Sequence, residues 1–244
     1  MERCGDMKPK KFQLRKTLSV IDGFFILLLT FLLVNSLAGS GLFPTEFLAS
    51  ILPGGATVIN QMLWQQILQF VVMTGLTLLF LFLRGKTLEQ IGLRPFSKRN
   101  WFWKAIGCGI VLFFVMLFVS ALLASLFPQW AKPQAVTEMI MQAHNDWEWF
   151  AVILMVCILA PISEELLFRG YFYHSLRNRY SMWSSVLVAS LLFGCIHYDL
   201  FRLLPLTFTG ICLNLVAIRS GSLWGSIVMH GVWNFMMTLV MMAF

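Results

Sequence analysis

Seven stretches of mostly apolar residues run along the chain, and connectors with charged, glycine or proline residues separate them. A helix needs about 20 predominantly apolar residues to cross a hydrocarbon core about 30 Å thick, and each stretch is close to that length. The sixth stretch is the shortest. The pattern predicts an all-α fold, a polytopic transmembrane helical bundle with about seven spans, at residues 18–38, 62–83, 105–127, 150–173, 183–200, 203–218 and 223–242.

The composition supports a location in the membrane. Apolar residues make up 59% and charged residues 12% of the chain, whereas soluble domains are roughly half apolar and a quarter charged. The net charge of +7 does not indicate a nucleic-acid partner, because the basic residues flank apolar stretches and do not line one polar face. We therefore expect membrane lipid around the chain and no nucleic acid.

Two clusters of basic residues predict the orientation. Lysine and arginine are enriched in cytoplasmic connectors, so we expect the N-terminus and the connector after the second stretch to be cytoplasmic, and the C-terminus to lie outside. Two alternatives stay open: a cleaved signal peptide in place of the first span, and a re-entrant loop in place of the sixth. The clusters are Arg3, Lys8, Lys10, Lys11, Arg15 and Lys16, and Arg84, Lys86, Arg94, Lys98, Arg99 and Lys104.

The fourth stretch holds two adjacent carboxylates and an arginine, at Glu164, Glu165 and Arg169. A charge inside a membrane costs about 2.5 kcal/mol or more on insertion scales, so intramembrane charges are typical of functional sites. Glu165 and Arg169 stand four residues apart and are expected to pair on one helix face. Glu164 points about 100° away and stays available for proton transfer as a general base. A helix-packing network of the three charges is the alternative interpretation.

Two histidines and an asparagine lie in other stretches. His197 comes near the end of the fifth stretch, and His230 and Asn234 stand four residues apart in the seventh. The latter two therefore share one helix face. Counted from the cytoplasmic ends at about 1.5 Å per residue, the depths of Glu164, His197 and His230 overlap loosely. We expect the three helices to enclose one polar site, although carboxylates and histidines in membranes also form proton relays.

Other polar residues carry weaker signals. Gln61, Gln65 and Gln69 recur every four residues and are interpreted as interhelical hydrogen-bonding groups, with the lining of a cavity as the alternative. Asp22, near the end of the first stretch, is expected to snorkel or to pair with another helix. The short apolar segment 47–52 predicts an interfacial helix. The five cysteines show no disulfide framework and no metal-ligand spacing.

The polar groups of the fourth, fifth and seventh stretches resemble the motifs of the CPBP family, which contains the CAAX-type prenyl endopeptidases and their bacterial bacteriocin-processing and immunity relatives. The family pattern EExxxR, FxxxH and HxxxN is matched in order by 164–169, 193–197 and 230–234. The resemblance divides one integrated membrane domain into N-terminal transmembrane helices and connectors, 1–148, and a CAAX-protease-like core, 149–244. It implies an intramembrane endopeptidase of the bacterial cell membrane, whose site opens toward the cytoplasm.

The resemblance also implies a peptide or protein substrate, with lipid modification as an option, and a set of site residues. In the version that we favour, no cofactor takes part: Glu164 activates a water held with His197, and His230 and Asn234 stabilise the oxyanion. In the alternative, a divalent metal, with zinc expected, binds Glu164, His197 and His230 and leaves one position for water. The site residues are Glu164, Glu165, Arg169, His197, His230 and Asn234.

Two other functions are weighed against the protease. The first is a non-catalytic membrane interaction protein of the same family, such as a bacteriocin immunity factor or a scaffold for a sensor kinase. The second is a proton-coupled transporter, which would require paired half-helices or symmetric halves. The sequence has neither feature. Substitution of Glu164 or His197 separates the enzyme from the interaction protein, because only the enzyme needs both side chains for its phenotype.

Overall fold

The computed structural model describes residues 17–40, 44–130 and 135–242, apart from the side chains of residues 135, 136 and 139. The N-terminal basic cluster, Cys4 and Lys132 lie outside the described residues. Within them the chain is helical and contains no strand, which confirms the predicted all-α fold. The helices are α1 Val20–Gly39, α2 Thr45–Ser50, α3 Val58–Leu83, α4 Trp101–Leu126, α5 Ala135–Ile140, α6 Asp146–Arg177, α7 Met182–Cys195, α8 Leu203–Ser220 and α9 Leu223–Met242.

Six of these helices, α1, α3, α4, α6, α8 and α9, are long and apolar enough to cross a membrane. They correspond to six of the seven predicted spans, including the short sixth one. The fifth predicted span differs, because α7 has 14 residues and ends at Cys195 and not at residue 200. His197 therefore lies in a turn beyond the helix and not inside a span. The short helix α2 occupies the place of the predicted interfacial helix.

Local hydrogen bonds fix where the helices begin. At the start of α6, Asn145 Oδ1 accepts from the amide of Glu148 at 3.0 Å, and Glu148 Oε2 accepts from the amide of His144 at 2.9 Å. Such reciprocal capping satisfies amides that the first turn leaves without partners. Ser181 caps α7 in the same way through the amide of Ser184. At the other end of α8, Gly221 adopts φ +64°, a left-handed conformation that ends helices.

Helix α6 is the centre of the bundle. It packs against α1, α3, α7 and α9, while α7 packs mainly on α8 and α4 mainly on α9. The middle of α6 is surrounded on all sides, since Leu167, Phe168, Tyr171 and Phe172 are fully buried. A helix that is apolar and buried all round is typical of the interior of a bundle. The site residues of α6 are thus carried by the most enclosed helix of the fold.

The two ends of the bundle differ in charge. We call one of them the basic end, because it carries nine of the described lysines and arginines; the other is the opposite end, with mostly acidic residues. The positive-inside rule predicts that the basic end faces the cytoplasm. The basic end carries Arg84, Lys86, Arg94, Lys98, Arg99, Lys104, Arg177, Arg179 and Arg219; the opposite end carries Glu46, Glu138, Asp146, Glu148, Asp199 and Arg202.

The connector between α3 and α4 closes the basic end. Its residue Ser97 donates to the carbonyl of Ser220 through both its amide and its hydroxyl, at 3.1 and 2.7 Å. The amide of Leu223 donates to the carbonyl of Gly92 at 2.7 Å. These bonds hold the connector against the turn between α8 and α9. The polar groups of the site therefore lie beneath a docked loop on this side.

Candidate active site

Helix α6 departs from regular α geometry on both sides of the two glutamates. Two π-helical segments, Leu154–Leu159 and Leu166–Phe172, flank the short α segment Ala160–Glu165. Segments of this kind are rare, and they are frequent at functional sites. Each π turn rotates the side chains that follow it. The carboxylates of Glu164 and Glu165 therefore point in directions that they would not have on a continuous α-helix.

Pro161 accounts for part of this irregularity. In the first π segment, the amide of Ala160 donates to the carbonyl of Met155. The next donor in that register would be residue 161 and its acceptor Val156, but proline has no N–H. Asn234 Nδ2 of α9 donates to the carbonyl of Val156 instead, at 2.7 Å. The side chain of Asn234 thus takes the place of the missing backbone donor and binds α9 to α6.

Glu165 lies at the centre of a fully buried charge network. Its Oε1 atom accepts from Arg169 Nη1 at 2.6 Å and from His230 Nδ1 at 2.9 Å. The predicted pairing of Glu165 with Arg169 is present, and the side chains of both residues are almost completely inaccessible. The bond from His230 was not predicted from the sequence, which assigned this histidine to the oxyanion or, in the alternative, to a metal ion. Glu165 therefore positions its neighbours and does not face open space.

Arg169 joins two further helices to this network. Its Nη2 atom donates to the carbonyl of Gly210 in α8 at 3.2 Å, and its guanidinium lies 4.5 Å from the centre of the Phe193 ring in α7. A guanidinium over an aromatic face is attracted by the π electrons, most strongly where water is excluded. A Cβ atom at position 210 would lie 2.9 Å from the Cβ of Ser190, so glycine permits this close approach of α8 to α7.

Glu164 has different surroundings from Glu165. Its side chain remains partly accessible, at 15%, and lines a cavity of about 430 Å³ between α3, α6 and α9. His197, His230 and Asn234 line the same cavity. The Oε2 atom of Glu164 lies 3.9 Å from Nε2 of His230, close enough for a small shift or one water to connect them. The structure thus brings these four predicted site residues together around one space.

His197 is held by the turn that follows α7. Its Nδ1 atom contacts the carbonyl oxygen of Phe193 at 2.8 Å, and only a protonated Nδ1 donates to a carbonyl. In the neutral ring, Nε2 is then the acceptor. Asp199 and Arg202 stabilise the turn by an ion pair and by a bond from the Arg202 amide at 3.1 Å. Burial raises the pKa of Asp199, but the hydrogen bonds and the charge of Arg202, together with a hydrogen bond from the Phe201 backbone, outweigh this and leave the pKa below its ordinary value.

Phe193 connects the two parts of the site, although the sequence analysis used it only as a motif position. Its ring contacts the guanidinium of Arg169, the ring of His197 at 5.1 Å and the ring of His230 at 5.8 Å, the last two edge-to-face. Such contacts fix the orientation of an imidazole without using its nitrogen atoms. The presence of phenylalanine in the motif was the signal for this role.

The glutamine stripe of α3 forms one wall of the cavity. Gln65 and Gln69 line it, together with Gln66, which lies outside the predicted stripe. Gln61 instead bonds the carbonyl of Ala56 at 3.3 Å. The alternative interpretation of the stripe, cavity lining, is therefore the correct one for two of its three residues. Sequence spacing did not identify Gln66, because it stands one position from Gln65 and so falls outside a stripe with a spacing of four residues. The helix nevertheless places both side chains at the rim of the cavity.

The cavity lies closer to the opposite end of the bundle than to the basic end. On α3 it extends to Met62, one turn from the start of the helix, and on α6 it extends to Met155. The family resemblance implies a site that opens toward the cytoplasm, whereas the positive-inside rule assigns this half of the bundle to the outer side.

The metal-binding alternative is tested by the same geometry. Among the described residues, no three histidine, cysteine, aspartate or glutamate side chains lie close enough together to hold a metal ion. Glu164 Oε2 and His230 Nε2 lie 3.9 Å apart, farther than the roughly 3.3 Å that separates two atoms when each lies about 2 Å from one tetrahedral zinc ion. As the described side chains are arranged, Glu164, His197 and His230 do not form a set of three metal ligands.

Comparison with known families confirms the resemblance. Residues 146–236 match the family model described as type II CAAX prenyl endopeptidase Rce1-like. The matched segment is C-terminal and makes up less than half of the chain. This segment contains all six predicted site residues, and at the level of the family it supports a membrane peptidase. Together with the six apolar helices, the match indicates an integral multi-pass membrane protein.

Three curated proteins are similar to parts of the chain, and all are bacterial. The "Uncharacterized 24.3 kDa protein" of Escherichia coli is 39% identical over 83 residues, which are 32% of this chain and 38% of that protein. The "UPF0177 protein YbdI" of Lactococcus lactis is 35% identical over 95 residues, 37% and 49% of the two chains. The "Putative membrane peptidase YdiL" of Bacillus subtilis is 30% identical over 83 residues, 34% of each.

The chain thus spans less than half the length of these relatives. No solved structure matches the chain. Because each match covers only part of both chains, the activity, the substrate and the partners of the whole protein are proposals.

Proposed function

We propose that the protein is an intramembrane endopeptidase in which Glu164 activates a water molecule for attack on a peptide bond. The observation that carries the proposal is the contrast between the two glutamates. Glu165 is held by Arg169 and His230, while Glu164 faces a cavity that His197, His230 and Asn234 also line. A general base needs access to water and to substrate. Glu164 has this access, and Glu165 does not.

The charges of the network support a protonated His230. Glu164, Glu165 and Arg169 together carry one net negative charge when all are ionised. A proton on His230 balances this charge, because its Nδ1 donates to Glu165 at 2.9 Å and its Nε2 lies 3.9 Å from Glu164. In that state Nε2–H is a donor directed into the cavity. A preformed donor in a site of low dielectric stabilises a developing oxyanion.

The reaction then proceeds in two stages. Glu164 takes a proton from a water that His197 Nε2 holds through its lone pair, and the hydroxide bonds to the carbonyl carbon of the substrate. The carbonyl oxygen becomes an oxyanion, which accepts from His230 and from the amide N–H of Asn234 that is not bonded to Val156. Glu164 next gives its proton to the amide nitrogen, the C–N bond breaks as the oxyanion re-forms the C=O bond, and a carboxylic acid and an amine leave. The acid then loses its proton to the amine, which gives a carboxylate and an ammonium group.

The residues of the buried network act through their neighbours in this mechanism. Glu165 and Arg169 position His230, and Phe193 orients both imidazoles. The substrate is a peptide or a protein that reaches the cavity within the membrane. A metal-assisted version would need Glu164, His197 and His230 as ligands, which requires all three side chains to converge on one point. A zinc ion held there would supply Lewis-acid activation of water.

The purified protein, reconstituted in lipid vesicles, tests the proposal with a library of internally quenched peptides. We expect cleavage by the wild type and a loss of at least a hundredfold with His197→Ala. Glu89→Gln, an exposed glutamate at the basic end, is the control and should cleave normally. Equal cleavage by His197→Ala and wild type would contradict the mechanism. A cellular phenotype that survives in the inactive variants would support the non-catalytic interaction protein.

A further inference from the structure

Helix α1 is firmly attached to the bundle only at the basic end. Arg84 forms two hydrogen bonds to the carboxylate of Asp22, at 2.6 and 2.7 Å, and Tyr171 donates to the same carboxylate at 2.8 Å. The expected helix pairing of Asp22 is thus present. Next to it, Gly23 packs against the ring of Phe172 so closely that a Cβ atom would lie 2.6 Å away.

The other half of α1 makes few contacts with the bundle. The buried residues of the helix are Asp22, Gly23, Ile26 and Thr30, and none of residues 31–39 is buried. The facing end of α7 and the turn after it are also open, since Cys195, His197 and Tyr198 are exposed. Since α1 packs mainly on α3, and α7 mainly on α8, a lateral cleft of about 710 Å³ remains between α1 and α7.

This cleft leads to the candidate active site. Glu164, Gln69 and Val34 line both the cleft and the site cavity, so the two spaces meet at the proposed general base. The walls of the cleft are mostly apolar, with Phe31 of α1 and Leu192 of α7 as examples. Such walls fit an occupant that arrives through the hydrocarbon layer and not through water.

Polar groups along the cleft favour a polypeptide over a lipid chain. Thr30 lines the cleft and is 7% accessible, and its Oγ1 atom has no hydrogen-bond partner among the described residues. Asn35 and Gln69 line it as well. An unsatisfied polar group within a membrane costs free energy that acyl chains do not recover, whereas the backbone of a peptide can supply donors and acceptors. A peptide also carries the bond that Glu164 would hydrolyse.

We propose that the cleft between α1 and α7 binds an apolar polypeptide segment of the substrate within the membrane and directs it to Glu164. The cleft extends along α1 from Phe24 to Asn35, about 16 Å of helix, which matches about five residues of extended chain. The occupant is a transmembrane segment of another membrane protein, unwound near the end that enters the cavity. The inference names the substrate class of the proposed peptidase and rests on that function for the cleavage step.

Photocrosslinking tests binding without requiring turnover. A benzophenone amino acid replaces Leu28, which lines the cleft, or Leu33, which is similarly exposed on the same helix but does not line it. Both changes are made in Glu164→Gln protein in vesicles that contain a biotinylated helix of about 20 leucine and alanine residues with lysine ends. We expect at least tenfold more adduct at position 28 than at position 33.

Each outcome has a defined meaning. Equal adduct at both positions indicates random collisions in the bilayer and overturns the inference. Adduct at position 28 with a farnesylated short peptide, but not with the helix, overturns it in favour of a lipid chain. If the helix forms the adduct at position 28 but the wild-type protein, with Glu164 intact, cleaves no peptide, the binding cleft stands and the proposed peptidase is rejected, so the two failures are distinguishable.

Cleavage provides the second measurement. Leu28→Trp narrows the cleft, and Leu33→Trp adds the same bulk outside it. With an internally quenched peptide joined to the leucine-alanine helix, we expect Leu28→Trp to lower kcat/KM at least tenfold, mainly through KM, and Leu33→Trp to change it less than twofold. With the same quenched peptide lacking the helix, Leu33→Trp should equal wild type, and the loss caused by Leu28→Trp should be at least threefold smaller than the loss with the helix-linked peptide. An equal loss for the two Leu28→Trp substrates would show general damage to the site and overturn the inference.

Discussion

Glu164 and Glu165 are neighbours in sequence, yet they belong to two different regions of the molecule. Glu165 lies in a closed network, where one oxygen accepts from both Arg169 and His230 and its side chain has no accessible surface. Glu164 lies at the edge of an open cavity, with 15% of its side chain accessible and His230 at 3.9 Å. A helix rotates successive residues by about 100°, which is enough to separate a structural carboxylate from a chemical one.

The comparison explains why the site tolerates two carboxylates inside a membrane. A buried charge is stabilised only when partners compensate it, and Glu165 has both Arg169 and His230. Glu164 has no such partner at hydrogen-bond distance, but it has access to a space that can hold water. His230 belongs to both regions, since its two ring nitrogens face the two glutamates. Because Glu165 holds Nδ1 of His230, the buried network also fixes the position of Nε2 in the cavity.

The largest expected effect is the loss of cleavage in Glu164→Gln. This variant distinguishes the two glutamates because its activity should fall while its stability stays the same. Glu164→Gln should lower kcat/KM for a cleaved peptide by about 10²–10⁴-fold, the usual contribution of a general base. Its unfolding midpoint in mixed detergent micelles should remain that of wild type, because the side chain has few partners to lose. If Glu164→Gln still cleaves the peptide, another group is the general base. The chemical difference between the two glutamates is then rejected.

The matching change in the closed network should act mainly on stability. Glu165→Gln leaves Arg169 buried without its counter-charge, and such uncompensated charges cost about 3–5 kcal/mol. We expect a large fall in the free energy of unfolding, followed by titration with denaturing detergent. Glu165→Gln combined with Arg169→Met should regain part of the loss, because no unpaired charge remains. If the double variant is less stable than the single one, the charges are not compensating each other.

A smaller effect tests the link between α9 and α6. Asn234→Ala removes the donor to the carbonyl of Val156 and should cost about 1 kcal/mol of unfolding free energy. Pro161→Ala restores a backbone N–H near that carbonyl, so in the same chain it should recover part of the cost. A double-mutant cycle measures the coupling. Simple addition of the two single effects would mean that Asn234 does not substitute for the proline donor.

The smallest expected effect concerns metal. In the version without a metal, incubation of the reconstituted protein with EDTA should change peptide cleavage less than twofold, since water activation depends on Glu164 alone. Glu164→Gln and wild type are assayed with and without the chelator. Loss of activity with EDTA and its return with zinc would instead favour Glu164, His197 and His230 as ligands, and would show that these side chains converge when the metal is bound.

Much of the fold was predictable because membrane helices are defined by local composition. The apolar stretches placed six spans within a few residues of their observed bounds, and the spacing of four residues between Glu165 and Arg169 predicted an ion pair that is present. Periodicity also placed His230 and Asn234 on one face, and both line the cavity. These features depend on helix geometry, which neighbouring helices alter little.

Other features depended on packing and were missed. The length of α7 was overestimated, because the apolar residues up to Leu200 continue through a turn that the ion pair of Asp199 and Arg202 stabilises. The π segments of α6 follow from Pro161 and from the contact with Asn234, and no local pattern predicts such a partner. The support of Arg169 by Gly210 and Phe193 likewise joins residues far apart in sequence.

The sequence by itself determined the helices, the charge asymmetry of the bundle and the identity of the chemical groups, because hydropathy and helical spacing are properties of short segments. Only the tertiary structure decided which imidazole nitrogen meets which glutamate, which of the two carboxylates faces the cavity, and that α1 leaves a cleft beside it. These outcomes depend on the distances between helices, which are set by close packing at positions such as Gly23 and Gly210.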